Sequence, residues 1–455
     1  MSGLPKGWIE AMLGQVTTKI GSGATPTGGE QSYRASGIPL VRSLNVHFDG
    51  VRSEGLAFLD ERQAARLDNV IVETEDVLLN ITGASIGRVA VAPKAYAGAR
   101  VNQHVSIVRL AQGVLPQYVR GFLASPVAQE FIRRENYGAT RQALTKSMIE
   151  NFAFPLPPLA EQKRIVAKLD ALNAKSARAR TELARIETLV SRYKQAVLSK
   201  AFSGDLTREW RARVQVAEPR TGQLEELLSV PVRNGLSIKG SDTPPGFPAL
   251  RLSALREREV RLDDVRYIPV NDDKARRFLL ETGDVLVSRG NGTRSLVGIA
   301  SIVPAIPRPT IFPDTAFRIR VDGTKALPLW LTSLWNAPQV RSQIEIVAKT
   351  TAGIWKISQK DLATIQLPIP STLEEQHEIV RRIEAAFAKI DRLAAQARRA
   401  LELVGKLDEA ILAKAFRGEL VPQDENDEPA EHLLIRIRAE RQAAPKARRG
   451  RRAKA

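Results

Sequence analysis

Leu189-Val190 and Lys200-Ala201-Phe202-Ser203-Gly204-Asp205-Leu206 reappear 214 residues later as Leu403-Val404 and Lys414-Ala415-Phe416-Arg417-Gly418-Glu419-Leu420. Glu161-Gln162 with Ile165-Val166 recurs at the same offset as Glu375-Gln376 with Ile379-Val380. Each copy lies in a stretch whose small or apolar residues are alternately four and three apart. In the first these are Ile165, Leu169, Leu172, Ser176, Ala179, Leu183, Ile186, Val190, Tyr193 and Val197. In the second they are Ile379, Ile383, Ala386, Ile390, Leu393, Ala397, Ala400, Val404, Leu407 and Ile411. A seam sustained for about five heptads and flanked by Arg, Lys, Glu and Gln predicts coiled-coil helices. Roughly 40 residues at 1.5 Å each make a helix about 60 Å long. Each stripe is the natural cover for the other. A parallel pairing would need a long return path, so the antiparallel one is expected, as a rigid spacer with a globule toward either end. The alternative, each helix packed on its own globule, does not require seams so narrow and long.

The segments outside the helices repeat a second plan. From about Leu4 to Phe154, Ile38-Pro39-Leu40-Val41-Arg42, Val70-Ile71-Val72 and Asp76-Val77-Leu78-Leu79-Asn80-Ile81 read as strands. Tyr118 to Glu135 reads as one helix with Val119, Phe122, Leu123, Val127 and Phe131 on its apolar face. From about Leu227 to Leu367, Asp284-Val285-Leu286-Val287 matches the Asp76 strand, Phe317-Arg318-Ile319-Arg320 matches Ser106-Ile107-Val108-Arg109, and Leu329 to Val347 supplies the equivalent helix. Phe154-Pro155-Leu156-Pro157 and Leu367-Pro368-Ile369-Pro370 are extended exits into the long helices, because proline disfavours helix in the residue before it. The fold class expected is α+β: two pseudo-symmetric mixed α/β globules separated by a two-helix antiparallel coiled coil. The boundaries expected are 1–157, 158–204, 205–370 (a linker and the second globule), 371–420 and a basic tail at 421–455.

Composition narrows the function. With 455 residues the chain fits two to four domains. It has no Cys, which excludes disulfides, zinc–thiolate sites and cysteine nucleophiles. The amino-terminal residues lack a signal-peptide run and no stretch suits a membrane span, so a cytoplasmic location is expected. The net charge of +18 and pI near 10.2 fit a polyanionic partner. Residues 436–455 carry nine Lys or Arg and one acid, Glu440, yet the remainder is still basic. Gly235-Leu236-Ser237-Ile238-Lys239-Gly240-Ser241 lacks the lysine that a phosphate-binding loop carries after its second glycine. His47, His104, His377 and His432 are scattered, and nothing pairs a nucleophile with a base. The chain reads as a binding protein and not an enzyme.

Donor-rich loops follow matching strands in both globules. The first has Asn80, Thr82, Ser85 and Arg88; the second has Arg289, Asn291, Thr293 and Arg294. A later loop carries Thr140 and Arg141 in copy one and Lys349, Thr350 and Lys356 in copy two. Arg42 and Arg251 occupy matching positions, and Asn102-Gln103-His104 faces Pro313-Asp314-Thr315 in the comparison of copies. Such side chains donate to phosphates and base edges, while glycine lets the backbone approach. The copies agree in apolar residues and differ in these loops, so two unlike half-sites are expected instead of a palindrome. A non-catalytic protein scaffold with only non-specific DNA affinity, and a nuclease or methylase fragment, are the alternatives.

The order of these motifs resembles the specificity subunits of type I restriction–modification systems over nearly the whole chain. The carriers are Leu4-Pro5-Lys6-Gly7-Trp8, Glu75-Asp76-Val77-Leu78 with Gly283-Asp284-Val285-Leu286, the proline exits with their Glu-Gln pairs, and the Lys-Ala-Phe helix ends. The resemblance implies two target recognition domains that bind double-stranded DNA, separated by an antiparallel helix pair. It implies two methyltransferase (modification) subunits docked on the helices, joined by restriction subunits with ATP-driven translocase and nuclease activity. No cofactor is then expected on this chain, with S-adenosylmethionine and ATP on the partner subunits. No role carries over to the tail.

Overall fold

Asp76 and Asp284, which open matching strands in the sequence, anchor matching sheets in the fold. The computed structural model describes residues 3–135, 143–256, 258–351 and 353–443. The chain divides into two compact units, Met1–Glu182 with Ala400–Ala455, and Leu183–Arg399. In the first unit an antiparallel sheet runs in the order Thr17–Ser22, Val105–Leu110, Val77–Asn80, Val89–Val91. In the second the order is Leu228–Asn234, Ala316–Val321, Val285–Ser288, Ala300–Ile302. The central strands are apolar on both faces because two cores flank each sheet. Val77 and Leu79 enter one core of the first unit while Leu78 and Ile107 enter another. Val285 and Val287 separate from Leu286 in the same way. Alternating side chains place successive residues on opposite faces, so two covered faces give an unbroken hydrophobic run.

The aspartates tie the two inner strands of each sheet together at one end. Asp76 accepts a bidentate pair from Arg109, Nε and Nη2 each at 2.8 Å, and the Glu73 amide at 2.7 Å. Asp284 accepts the same set from Arg320, at 2.6 and 2.8 Å, and from the Glu281 amide at 2.8 Å. Both guanidiniums are held above their ordinary pKa by these carboxylates. Paired strands Ile9–Met12 with Ala153–Leu156, and Arg220–Gln223 with Gln366–Ile369, tie each unit's entry to its proline exit.

The exits lead into helices Leu159–Phe202 and Leu373–Phe416, each with one end in either unit. The repeated Glu-Gln pairs are buried there. Gln162 accepts from the Leu115 amide at 2.9 Å and donates to the Pro157 carbonyl at 3.0 Å. Gln376 accepts from Leu327 at 2.8 Å and donates to Lys325 at 2.9 Å. These amides close backbone groups that the folded loops would otherwise leave unpaired. Glu161 accepts from Trp8 Nε1 and Gln423 Nε2, both at 2.8 Å, and burial raises its pKa. Glu375 accepts from Thr207 Oγ1 at 2.8 Å and Arg211 Nη1 at 2.7 Å.

The helix segments pair antiparallel within each unit. In the first, Asp408 meets Ser176 and Arg180, both at 2.6 Å. In the second, Lys194 meets Asp391 at 2.6 Å and Arg382 donates to the carbonyl of Leu206 at 2.8 Å. The seam departs from the expected positions. Tyr193, Leu393 and Leu407 are exposed, whereas Leu198, Ala201 and Ala394 are buried. A helix of 3.6 residues per turn drifts by about 20° per heptad, so a strict heptad list leaves the interface when the pair is not supercoiled to follow it.

Two further expectations are corrected. The single helices predicted over Tyr118–Glu135 and Leu329–Val347 are each two: Pro116–Leu123 with Pro126–Glu135, and Pro328–Trp335 with Pro338–Val347. Pro126 and Pro338 restart the helix and change its phase. Val127 is therefore 68% exposed and Phe131 is on the surface, while Ala128 and Ile132 are buried. Val70-Ile71-Val72 is a 3₁₀ turn and an isolated bridge from Ile71 to Arg100, with Val72 bonded to Ala99 and Gly98, and not a regular strand. The carboxy-terminal residues contribute a helix, Ala430–Ala443, whose Ala430, Leu433, Leu434 and Ile437 are buried in the first unit's core.

Candidate nucleic-acid interface

In the second unit the fold brings together two loops that are some 60 residues apart in the chain. Gly290–Asn291 pairs with Ile354–Lys356, which also pairs with Lys349–Thr351, giving a small three-stranded sheet. Gly290 permits this approach, since a Cβ there would lie 3.2 Å from the Trp355 carbonyl oxygen. Asn291 accepts from the Thr293 amide at 3.0 Å, which curls the loop and leaves Thr293 exposed. Arg294 stacks on Trp355, 4.8 Å from the ring centroid, and donates to the Glu345 carbonyl at 2.7 Å. Arg289 lies at the base of the loop, with its Nη1 on the Asp314 carbonyl at 3.4 Å and its charge over Phe317. Lys349, Thr350 and Lys356 are exposed on the hairpin. Arg289, Asn291, Thr293, Arg294, Lys349, Thr350 and Lys356 therefore share one donor-rich surface. Trp355 is the part sequence reasoning left out, although it stands between two named residues.

The first unit uses its candidates differently. Asn80 is buried, with Nδ2 donating to the Ser43 carbonyl at 2.8 Å and to Ser85 Oγ at 3.1 Å. It fixes the strand end against two loops and does not present a base-reading amide. Thr82 is bonded to His104 Nδ1, and the backbone of Thr82 bridges to Ala143. His104 also meets Gln103, which meets Thr25, so the Asn102-Gln103-His104 segment is a polar network beside the loop. Among the described residues no carboxylate pairs with Arg88, which is half-buried at the loop's end. Thr140 and Arg141 lie outside the described residues.

Arg42 and Arg251 occupy matching places but are both engaged internally. Arg42 donates to Glu30 at 3.2 Å and to the Gly55 carbonyl at 2.6 Å, and stacks on Tyr33 at 5.1 Å. Arg251 donates to the Val265 carbonyl at 3.1 Å and pairs with Asp242 and Asp264. Their structural task is to brace the loops around them. No helix among the described residues is long and apolar enough to cross a membrane.

Known proteins share this fold. The family model for the type I restriction modification DNA specificity domain matches residues 5–188. The EcoKI type I restriction enzyme specificity subunit of Escherichia coli K12 is 30% identical over 97% of this chain and 97% of its own length. The StySPI specificity subunit of Salmonella potsdam is 28% identical over 96% of each. The HsdS subunit of Thermoanaerobacter tengcongensis has the same fold, with a TM-score of 0.57 at 21% identity over 92% of this chain and 98% of that one. The chain belongs to the family of type I restriction–modification specificity subunits.

Proposed function

We propose that this chain recognises DNA sequence for a type I restriction–modification complex without itself performing catalysis. Each target recognition domain reads one half of an asymmetric bipartite site. The observation that carries this reading is a common frame bearing unlike loops. The Asp76–Arg109 and Asp284–Arg320 pairs coincide, as do the buried Glu-Gln pairs. Yet the strand ending in Asn80 leads into a polar network, and the strand ending in Ser288 leads into the Arg294–Trp355 surface. A shared frame holds register, and unlike side chains at one register read unlike bases.

Methyltransferase subunits dock, in this reading, on the long helices. Those helices leave large apolar side chains in water: Tyr193 and Leu393 in the second unit, Leu403 and Leu407 in the first. Apolar residues repeated along one element mark a partner surface more often than scattered single ones do. S-adenosylmethionine and ATP belong to the partner subunits, and restriction subunits complete the assembly.

The test is competition binding with the assembled complex. Arg289→Ala with Arg294→Ala should abolish the preference for sites with an intact second half-site and leave the first half-site's preference in place. Unchanged DNA binding by that variant would favour a protein scaffold instead.

A further inference from the structure

Beside the Arg289 surface the second unit has a cavity of about 580 Å³, lined in part by Arg251 and by the Pro313-Asp314-Thr315 segment. Its wall is backbone held from two sides. The Leu236 amide bonds the Phe312 carbonyl at 3.1 Å, the Asp314 amide bonds the Leu236 carbonyl at 3.2 Å, and Ser241 exchanges two 2.8 Å bonds with Tyr267. Gly235 is required there, since a Cβ would fall 2.1 Å from the Phe312 carbonyl oxygen. Lys239, Arg251, Arg266, Ser253, Asp314 and Thr315 face the opening.

The cations divide into two kinds. Arg251 is matched by Asp242 and Asp264. Lys239 and Arg266 have no carboxylate partner among the described residues, and the buried Nε of Arg266 has no hydrogen bond. The pairing of its strand, Val265–Ile268, with Phe247–Leu250 sets the face from which Arg266 projects. The corresponding corner of the first unit is filled by Thr25, Gln103, His104 and Thr82, bonded to one another. That network contains no Lys or Arg, whereas the second unit's corner carries Lys239 and Arg266.

The lining sets Lys239, Arg251 and Arg266 against one carboxylate, Asp314, with hydroxyls from Ser237, Ser253 and Thr315, so it is rich in donors and cationic on balance. A base edge presents both donors and acceptors, whereas a backbone phosphate presents acceptors and a full negative charge. We propose that this pocket anchors one phosphate of the DNA backbone, held by Lys239 and Arg266, and so sets the register of the adjoining Arg289–Trp355 surface. The assignment rests on the reading of this chain as a DNA-recognition subunit.

The experiment uses the assembled complex with its methyltransferase subunits. Lys239→Ala, Arg266→Ala, the double variant and Arg266→Lys are titrated with cognate duplex over a range of salt, and the motif each methylates is sequenced. Loss of one phosphate contact should make the log–log salt dependence of the double variant shallower by about 0.9. Its affinity at low salt should fall about tenfold, its methylated motif should not change, and Arg266→Lys should keep the slope. If Arg266→Ala lowers the yield of folded protein, Lys239→Ala alters an exposed side chain and still carries the test. An unchanged slope overturns the proposal. So does a relaxed motif in one half-site, which would make the pocket a base reader, or lost assembly with intact DNA binding, which would assign it to a protein partner. Absence of sequence-specific binding by the wild-type complex would instead overturn the DNA-recognition reading itself.

Discussion

Replacing Arg211 by Met removes the cation from the most enclosed ion pair in the second unit. The Arg211 side chain is 3% exposed and that of Glu375 is 0% exposed, with Nη1 and Oε1 2.7 Å apart. Arg211 also donates to the Gly204 carbonyl at 2.8 Å and pairs with Glu218 at 2.6 Å. Without it, Glu375 keeps only the Thr207 hydroxyl on Oε1, and Oε2 already has no partner. Stranding a buried charge in this way costs about 3–5 kcal/mol. For a unit of this size that lowers the melting temperature by about 6–20 °C. Thermal and urea unfolding of the full chain would measure it. The mechanism makes a second, sharper demand: Arg211→Met with Glu375→Leu should recover most of the loss, because a buried pair replaced by apolar groups is often neutral. A single variant costing under about 1 kcal/mol, or a double variant no more stable than the single, would refute the reasoning.

Glu378 is held down to about 2 by its hydrogen bond to Arg381, with Arg382 adding to it. A depressed carboxylate contributes stability above its ordinary value of 4.5 and loses it as pH falls toward 2. Glu378→Gln should therefore flatten the acid side of the stability curve between those values and leave its slope above pH 6 unaltered, as read by urea midpoints across pH. Ile437 is 1% exposed within the first unit's core, so Ile437→Ala should cost about 2–5 kcal/mol. A urea midpoint within error of wild type would show that the carboxy-terminal helix is not part of that core. Gly290→Val should disturb the Trp355 hairpin and weaken discrimination in one half-site only, read from the sequenced methylation motif.

The repeat was legible because it lay in apolar residues and in the Glu-Gln pairs, but the reason for those pairs was not. Gln162 and Gln376 each accept from the amide of a loop some 50 residues away, a contact that periodicity does not encode. The heptad seam identified both helices and their antiparallel sense, and misplaced Tyr193, Leu393 and Leu407 because helix drift depends on the partner. Pro126 was visible in the sequence; its power to rotate the following turn out of phase was missed by treating Val127 and Phe131 as a continuation of one face.

At the candidate interface, residue type revealed donors but not their direction. Asn80, Arg42 and Arg251 lie in donor-rich stretches and spend their donors on neighbouring loops. Arg289 and Arg294 lie in an equally polar stretch and meet a hairpin that only tertiary pairing brings near. Lys239 stands in a stretch that only partly matches a phosphate-loop pattern, and Arg266, on a two-stranded pair, carries no pattern at all. An isolated arginine becomes informative when its missing partner is seen.

The central claim, two unlike reading domains on one frame, is tested most directly by sequencing the methylated bases in DNA from cells that express this chain with its methyltransferase subunit. The account predicts one asymmetric motif with two short defined halves and a fixed unspecified gap between them. A palindromic motif, a single contiguous motif, or methylation without sequence preference would contradict it.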